Sequence, residues 1–347
     1  MATKLRPITI IGGGISGLSL GVALRKRGVP VTLHEASAYP RHRVCGEFIS
    51  GVSETTLKSL GIDELLSDAE TNQSTRWFDP EGEILASELP EPAYGISRFR
   101  LDERLAERFR ELGGDLIENS RVASDSFDGE GKVLAAGRPM QKASDWIGLK
   151  AHFDNFALTA DLEMHLGDSG YLGIAGVEGG RVNVCGLFRK PLVRSSNHRA
   201  PLLKAISGVG LNTLTDRLAS ADLVTESQTT IGAFEFGYQT SSKSSLRALR
   251  IGDQHGVIGP FTGNGMTIAL QSAECVVDEL ACYARNDQNW CEMLVKAETR
   301  LKRRFRRRLW FAQRLHPLIH RPRGRALLST LGRNGMIPFG ALYRIMR

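Results

Sequence analysis

Residues 8–35 read ITIIGGGISGLSLGVALRKRGVPVTLHE. Ile8–Ile11 is a β-branched apolar run, the pattern of a strand buried on both faces. It stops at Gly12, Gly13 and Gly14, with Gly17 soon after. From Ile15 onward Leu18, Val22 and Leu24 recur at helical spacing. Gly28 predicts the end of that helix, and VPVTLHE reads as a second strand closing on Glu35. Within the G-x-G-x-x-G spacing each glycine has a physical role. Gly12 permits a tight turn, Gly14 lets a pyrophosphate approach the backbone, and Gly17 lets the helix lie close on the strand. The helix start at Ile15 and Ser16 turns free N–H groups and a partial positive charge toward the phosphates. Glu35, followed by Ala36, stands where an acid accepts hydrogen bonds from an adenosine ribose. The unit predicts dinucleotide binding, the alternative being an ordinary βαβ unit with a glycine-rich turn. An acid at this point disfavours a 2′-phosphorylated ribose, which leaves FAD or NAD.

At 347 residues the chain is long enough for two or more domains, and 41% hydrophobic with 24% charged residues is the composition of a folded protein. No apolar run reaches the ~20 residues that span a bilayer. The N-terminal residues pass straight into the first strand, so no signal peptide is expected. Five cysteines (45, 185, 275, 282 and 291) include no C-x-x-C pair. Free thiols in a reducing cytoplasm are the simplest reading, and no metal site is expected. Charge is unevenly placed: residues 299–347 hold fourteen Lys and Arg and no acid, so the rest of the chain carries 31 basic against 38 acidic residues. The net charge of +7 therefore comes from the tail.

After Glu35 the chain continues ASAYPRHRVCGEFISG. The fingerprint, the acid and then Arg41, Arg43, Cys45, Gly46 and Glu47 (R-x-R-x-C-G-E) resemble the group A flavoprotein monooxygenase and geranylgeranyl reductase superfamily. The resemblance implies that this loop passes beside a flavin, with Cys-Gly typical of the reductase branch. Arg43 would help neutralise pyrophosphate. Cys45 and Glu47 become candidate catalytic residues, the thiol acting through a lowered pKa, although Cys45 reads equally well as a small packing residue. Ser53–Leu60 predicts a helix with an N-cap serine, stopped by Gly61. Thr75–Phe78 and Glu83–Ala86 flank a D-P-E-G turn and predict a hairpin. SRFRLDERLAERFRELGG resembles the superfamily's R-x-x-L-D-x-x-L element, which places Arg98 near the cofactor, and Leu101–Leu112 predicts an amphipathic helix.

Residues 115–132 are too few for the three-stranded meander that the resemblance implies, so the adenosine end should be less covered. GKVLAAGR then resembles the strand that returns to the nucleotide, with Ala136 and Gly137 meeting it. From Trp146 on, WIGLKAHF, FALTADLEMHL, GYLGIAGV and RVNVCGLF alternate with Gly, Asp and Asn. They predict an antiparallel sheet, which the resemblance makes the floor of a substrate pocket. Lys150 and His152 share one face of it, turned either to solvent or into the pocket. Tyr171 fits the first position of the reductases' Y-x-W-x-F-P motif, but Gly173, Ala175 and Gly176 stand at the others. The Trp-rich motif of the halogenases is absent. Pro201–Ala219 is helical in period, and Ser227–Phe236 reads as a further strand.

The second signature is LRIGDQHGVIGPFTGNGMTIALQSAECVVDELACYAR. It resembles the superfamily's G-D-x-x-G-x-x-x-P-x-x-G-x-G-M segment. By that match Asp253 holds the ribitol chain, Pro260 lies on the isoalloxazine, and Gly263, Gly265 and Met266 offer backbone N–H groups to the pyrimidine end. Gly265 opens a predicted helix of some twenty residues, whose positive end suits the charge of a reduced flavin. Beyond it Leu301, Phe305, Leu309, Ala312 and Leu315 form a stripe among arginines. That helix either packs on the body or lies on an anionic membrane surface. Nucleic acid is not expected, because no binding fold accompanies the charge.

The expectation is an α/β protein. A Rossmann-like FAD domain (1–75, 98–145 and 246–285) is interleaved with an antiparallel substrate sheet (76–97 and 146–245), before a basic helical region (286–347). The expected function is FAD-dependent oxidation of a hydrophobic, aromatic or polyketide-like small molecule by an NADH- or NADPH-driven monooxygenase, with either nicotinamide bound transiently. The alternatives are reduction of isoprenoid double bonds and a flavin-binding protein without turnover. The expected location is cytoplasmic, at the inner face of the membrane if the tail binds it.

Overall fold

The computed structural model describes residues 5–123, 127–138, 145–190, 201–232, 237–238 and 248–347. In chain order the glycine turn sits between β1 (Ile8–Ile11) and α1 (Ile15–Lys26), and β2 (Val31–His34) follows. Next come β3 (Phe48–Ile49), α2 (Glu54–Leu60), β4 (Glu70–Asp79), β5 (Gly82–Gly95), α3 (Arg98–Glu111), β6 (Asp115–Ile117) and β7 (Lys132–Leu134). The middle of the chain gives β8 (Trp146–Asp154), β9 (Leu162–Gly167), β10 (Gly170–Val177), β11 (Arg181–Arg189), α4 (Pro201–Gly208), α5 (Asn212–Ala219) and β12 (Asp222–Gly232). The last third holds β13 (Gly237–Tyr238), β14 (Leu249–Arg250), β15 (Gly256–Val257), α6 (Gly265–Ala284), α7 (Trp290–His320), α8 (Pro322–Arg333) and α9 (Phe339–Ile345).

Two sheets organise these elements. The first is parallel, in the order β14-β7-β1-β2-β6. Ile8, Ile10, Leu33 and Val133 are buried in it, and α1 fills its near side with ten consecutive buried residues, Ile15 to Leu24. Such a helix is apolar nearly all round because it lies between the sheet and α6, α3 and α2. The second sheet has the order β12-β8-β11-β10-β9-β4-β5-β3 and is antiparallel except where β4 runs alongside β9. One face of it carries Leu149, Ala151, Phe153, Ile174 and Val184, packed under α4 and α5. The other face looks toward the parallel sheet.

The elements differ from expectation in a few places. The second sheet starts at Glu70 and recruits Phe48–Ile49, so it takes residues that the sequence reading gave to the first domain. β6 was not expected; three residues between a Gly-Gly stop and a loop leave no visible alternation. β12 begins at Asp222 and bulges between Val224 and Thr229, which breaks the period-2 signal ahead of Ser227. Residues 233–236 of the expected strand lie outside the described residues. The apolar stripe of α7 packs on the body, with Leu301, Phe305, Leu309 and Ala312 at most 1% exposed.

Candidate functional site

The glycine turn divides its three key residues as the spacing predicts. Gly12 has φ +102°, and a Cβ there would lie 2.4 Å from Ala135 O. At Gly17 a Cβ would meet Gly12 O at 2.0 Å, so the start of α1 rests directly on the turn. Gly14 is open: its nearest neighbour would be Arg98 Nη2 at 3.9 Å. Glu35 is buried at the end of β2 and accepts from Gly13 N (2.8 Å) and Ser37 N (3.1 Å). Arg41 and Arg43 also pair with it, at 2.6 and 3.5 Å. Tyr39 donates its hydroxyl to Gly13 O (2.5 Å) and covers this end of the turn. Cover that the sequence leaves missing between residues 115 and 132 is thus supplied in part by the Tyr39–Arg41 loop. Arg43 does not stand free for pyrophosphate, as expected from sequence, because its Nε also binds Asp102 at 3.0 Å.

From the other side come the residues after β14. Asp253 pairs with Arg138 (3.2 Å), and Gln254 donates to Gly137 O (2.6 Å), which ties this turn to the strand end at Ala136-Gly137. Pro260 is exposed, Gly263 turns the chain with φ +63°, and Gly265 lies exposed at the first turn of α6. Met266 points into the core, leaving only its backbone to the site. A Cβ added at Gly46, Gly137, Gly173 or Gly265 would meet no atom within 4 Å. These glycines come from both sheets and from the loops between them, so together with Gly14 they border open space along the seam. A long, flat cofactor with a phosphate group at Gly14 and a ring system near Gly265 fits this cradle, and FAD has that form.

Beside the cradle the loop after β2 meets the antiparallel sheet in a buried polar cluster. Glu47 adopts φ +54° and is fully buried. Its Oε1 accepts from Arg98 N (2.9 Å) and pairs with Lys150 Nζ (3.2 Å). Its Oε2 lies 2.5 Å from His152 Nε2. Burial pushes the Glu47 carboxyl up, but the His152 hydrogen bond and the Lys150 charge outweigh it and hold it below the usual range. Lys150 and His152 are each 1% exposed, which excludes the solvent-facing reading of their alternation. Lys150 Nζ also reaches His42 Nδ1 at 3.2 Å. Burial, then Lys150 and His152, lower His42 to about 4, so it is neutral.

Cys45 is partly exposed at the rim of the space, and its carbonyl accepts from Asn183 Nδ2 (3.0 Å). Burial raises its thiol despite the pull of Arg98, so the thiolate considered from sequence does not form at neutral pH. Arg98 is tied to Asp102 at 2.7 Å. Burial alone would lower its pKa, and Asp102 raises it above the ordinary value. Tyr171 is buried on the same face of the sheet, 3.4 Å from His316 Nε2 and edge-on to Phe261. Sequence reasoning missed His42, Asn183 and His316. His42 sits inside the R-x-R motif, and Asn183 lies opposite His152 in register, a pairing visible only once β8 and β11 are aligned.

Residues 7–75 match the family described as pyridine nucleotide-disulphide oxidoreductase. Among curated proteins, "Conditioned medium factor receptor 1" of Dictyostelium discoideum is 30% identical over 135 residues, 35% of this chain and 26% of that protein. "FAD-dependent monooxygenase OpS4" of Beauveria bassiana is 29% identical over 143 residues, 38% of this chain and 34% of its own length. The matches thus span about a quarter to a third of these relatives. Among solved structures, PqsL of P. aeruginosa in complex with 2-aminobenzoylacetate superposes with a TM-score of 0.71 at 13% identity, covering 94% of this chain and 100% of that one. The fold is that of FAD-dependent monooxygenases. Among the described residues no helix is long and apolar enough to cross a membrane.

Proposed function

We propose that this chain is an FAD-dependent oxidoreductase that hydroxylates a hydrophobic, aromatic small molecule with electrons from NADH or NADPH. The cradle of open glycines at the seam carries the proposal, since it matches a flavin dinucleotide in length and flatness. In it Gly14, Ile15 and Ser16 would receive the pyrophosphate, Glu35 the ribose and Asp253 the ribitol chain. Gly263 and Gly265, at the positive end of α6, would receive the pyrimidine edge. Bound there, FAD supplies electron transfer and the activation of dioxygen. The chain's own residues bind, orient and exclude water. Tyr39 covers the dinucleotide turn, and Tyr171, Gly173 and Cys185 form the pocket floor. Glu47, Lys150 and His152 place fixed charge beside it.

The aromatic substrate class rests on the pocket floor and on the ligand in the PqsL title. Reduction of isoprenoid double bonds stays a second reading, favoured by the Cys45-Gly46 pair. Purified protein should be yellow, release FAD on denaturation, bleach with NADH or NADPH without air, and recover in air. Oxygen consumption with a hydroxylated product selects monooxygenation, whereas a saturated product formed without oxygen selects the reductase. A colourless protein that takes up no added FAD refutes both.

The basic tail supports a peripheral role at an anionic membrane. With its apolar stripe packed on the body, α7 offers a surface of Lys302, Arg303, Arg304, Arg306, Arg307 and Arg314, beside exposed Trp310. Each cation near an anionic bilayer contributes ~1 kcal/mol, so attachment would be reversible and salt-sensitive. Sedimentation with anionic and neutral liposomes at two salt concentrations tests it. Absence of binding to anionic vesicles at low salt rejects it.

A further inference from the structure

The buried cluster beside the cradle has one unsatisfied end and one end near solvent. Glu47 is ionised, so its Oε2 is an acceptor only, and the hydrogen between it and His152 must sit on Nε2. His152 Nδ1 then carries a lone pair, and it is buried without a partner. Asn183 Oδ1, at the register position opposite, is likewise buried and unpartnered. At the other end His42 is partly exposed, stacked on Phe99 with ring centroids 4.6 Å apart and in the field of Glu226, which lies exposed on β12. Between the two ends every link is within 3.2 Å: His152 Nε2 to Glu47 Oε2, Glu47 Oε1 to Lys150 Nζ, and Lys150 Nζ to His42 Nδ1.

We propose that His152 is a general base for a protic aromatic substrate, a ring bearing an acidic hydroxyl or N–H, and that Glu47, Lys150 and His42 carry its proton to solvent. The purpose of the path rests on the function proposed above. His152 Nδ1 takes the proton as the substrate's O–H or N–H bond breaks, leaving the anion near the Lys150 ammonium. His152 gives its Nε2 hydrogen to Glu47. Lys150 passes a proton to His42 Nδ1 and regains one from the Glu47 carboxyl, and His42 releases its Nε2 hydrogen to water. One proton leaves the substrate and one reaches solvent, with no change of oxidation state. A weakly basic His42 suits the last station, since it does not retain the proton. Turning of the His42 ring, or proton exchange with water, restores its starting tautomer.

The path can be tested on cofactor-free protein, by NMR of the histidine rings in 15N-labelled samples. The rate measured is exchange of the His152 Nε2 hydrogen with solvent, compared with the backbone amides of β8. His42→Phe keeps the stack on Phe99 and removes the exit. It should slow ring exchange by ~100-fold, the low end for a positioned proton transfer, at unchanged amide protection. A second variant, His42→Gln, should behave the same way. Equal ring exchange in wild type and variants, or ring and amide rates that move together, overturns the path. Protein that binds no flavin would refute the proposed function while leaving this measurement interpretable. In flavin-loaded protein each His42 variant should lower turnover, with recovery on adding free imidazole. Lost turnover that imidazole does not restore assigns His42 a structural role and overturns its part in the path.

Discussion

Glu47 and Lys150 show how much a single buried ion pair can commit a fold to one arrangement. Both side chains are fully buried, and Glu47 also holds His152 and the start of α3 through Arg98 N. Glu47→Gln or Lys150→Met alone should lower stability by about 3–5 kcal/mol, because each leaves a buried charge without its partner. The double variant should recover a large share of the loss. Denaturant unfolding of the three proteins measures this, and additive losses would deny the coupling. At the cradle, Asp253→Ala should reduce bound FAD at least several-fold, read as the flavin-to-protein absorbance ratio; full occupancy would remove Asp253 from the site. Gly265→Val should do the same by filling the open space, without the loss of folding expected at Gly12, where a Cβ meets backbone. The cradle glycines were legible because their spacing is local. The Glu47 cluster was not, since its members lie about a hundred residues apart and alternation alone cannot say which face of a strand is covered.

Among the elements, α7 and α9 most alter the picture drawn from sequence. The stripe on α7 was readable, but whether it met protein or lipid depended on a partner that no local pattern reveals. Phe305 and Leu309 are 0% and 1% exposed, so Leu309→Ala should cost about 2–5 kcal/mol in unfolding free energy. If α7 bound lipid through this stripe instead, the substitution would weaken vesicle binding and leave stability unchanged. α9 was not foreseen as part of the site. The carbonyl of Met346 accepts from Asn264 Nδ2 (2.9 Å), and Arg347 donates to Thr262 O (3.2 Å), so this helix braces the loop that precedes α6. Asn264→Ala should therefore loosen that loop and weaken flavin retention during dialysis, although Asn264 faces the brace and not the cradle. β6 and the bulged β12 escaped notice for a different reason: three residues, or a broken register, carry too little periodicity to read.

For the whole molecule, the histidines set the response to acid. Burial lowers His42, His255 and His316 to about 4, and it lowers His165 as well. Each is neutral in the fold and takes a proton near its ordinary value of ~6.5 when unfolded. The unfolded chain thus binds more protons below that pH, and stability falls as pH drops from ~6.5 toward 4, by up to ~1.4 kcal/mol per pH unit per buried histidine. Glu163, tied to His165 and Arg217, is held down to about 2 despite its burial. Its contribution is present above the ordinary carboxylate range and is lost between there and pH 2. Melting temperatures from pH 7 to 4 should decline continuously, and a flat profile would contradict the buried neutral state of these rings.

The interleaving of the two sheets has a consequence for synthesis. Gly14 and Gly265 border one cradle but stand about 250 residues apart, and β14 joins the parallel sheet only after the whole antiparallel sheet has been made. At roughly 10 residues per second, the glycine turn waits ~25 s on the ribosome for the other half of its site. During that interval the nascent chain has a nucleotide fingerprint but no enclosure for a flavin, and the exposed edge of β7 lacks its neighbour. Cofactor capture is therefore a late event in the life of this chain, and slow folding is built into the order of its strands.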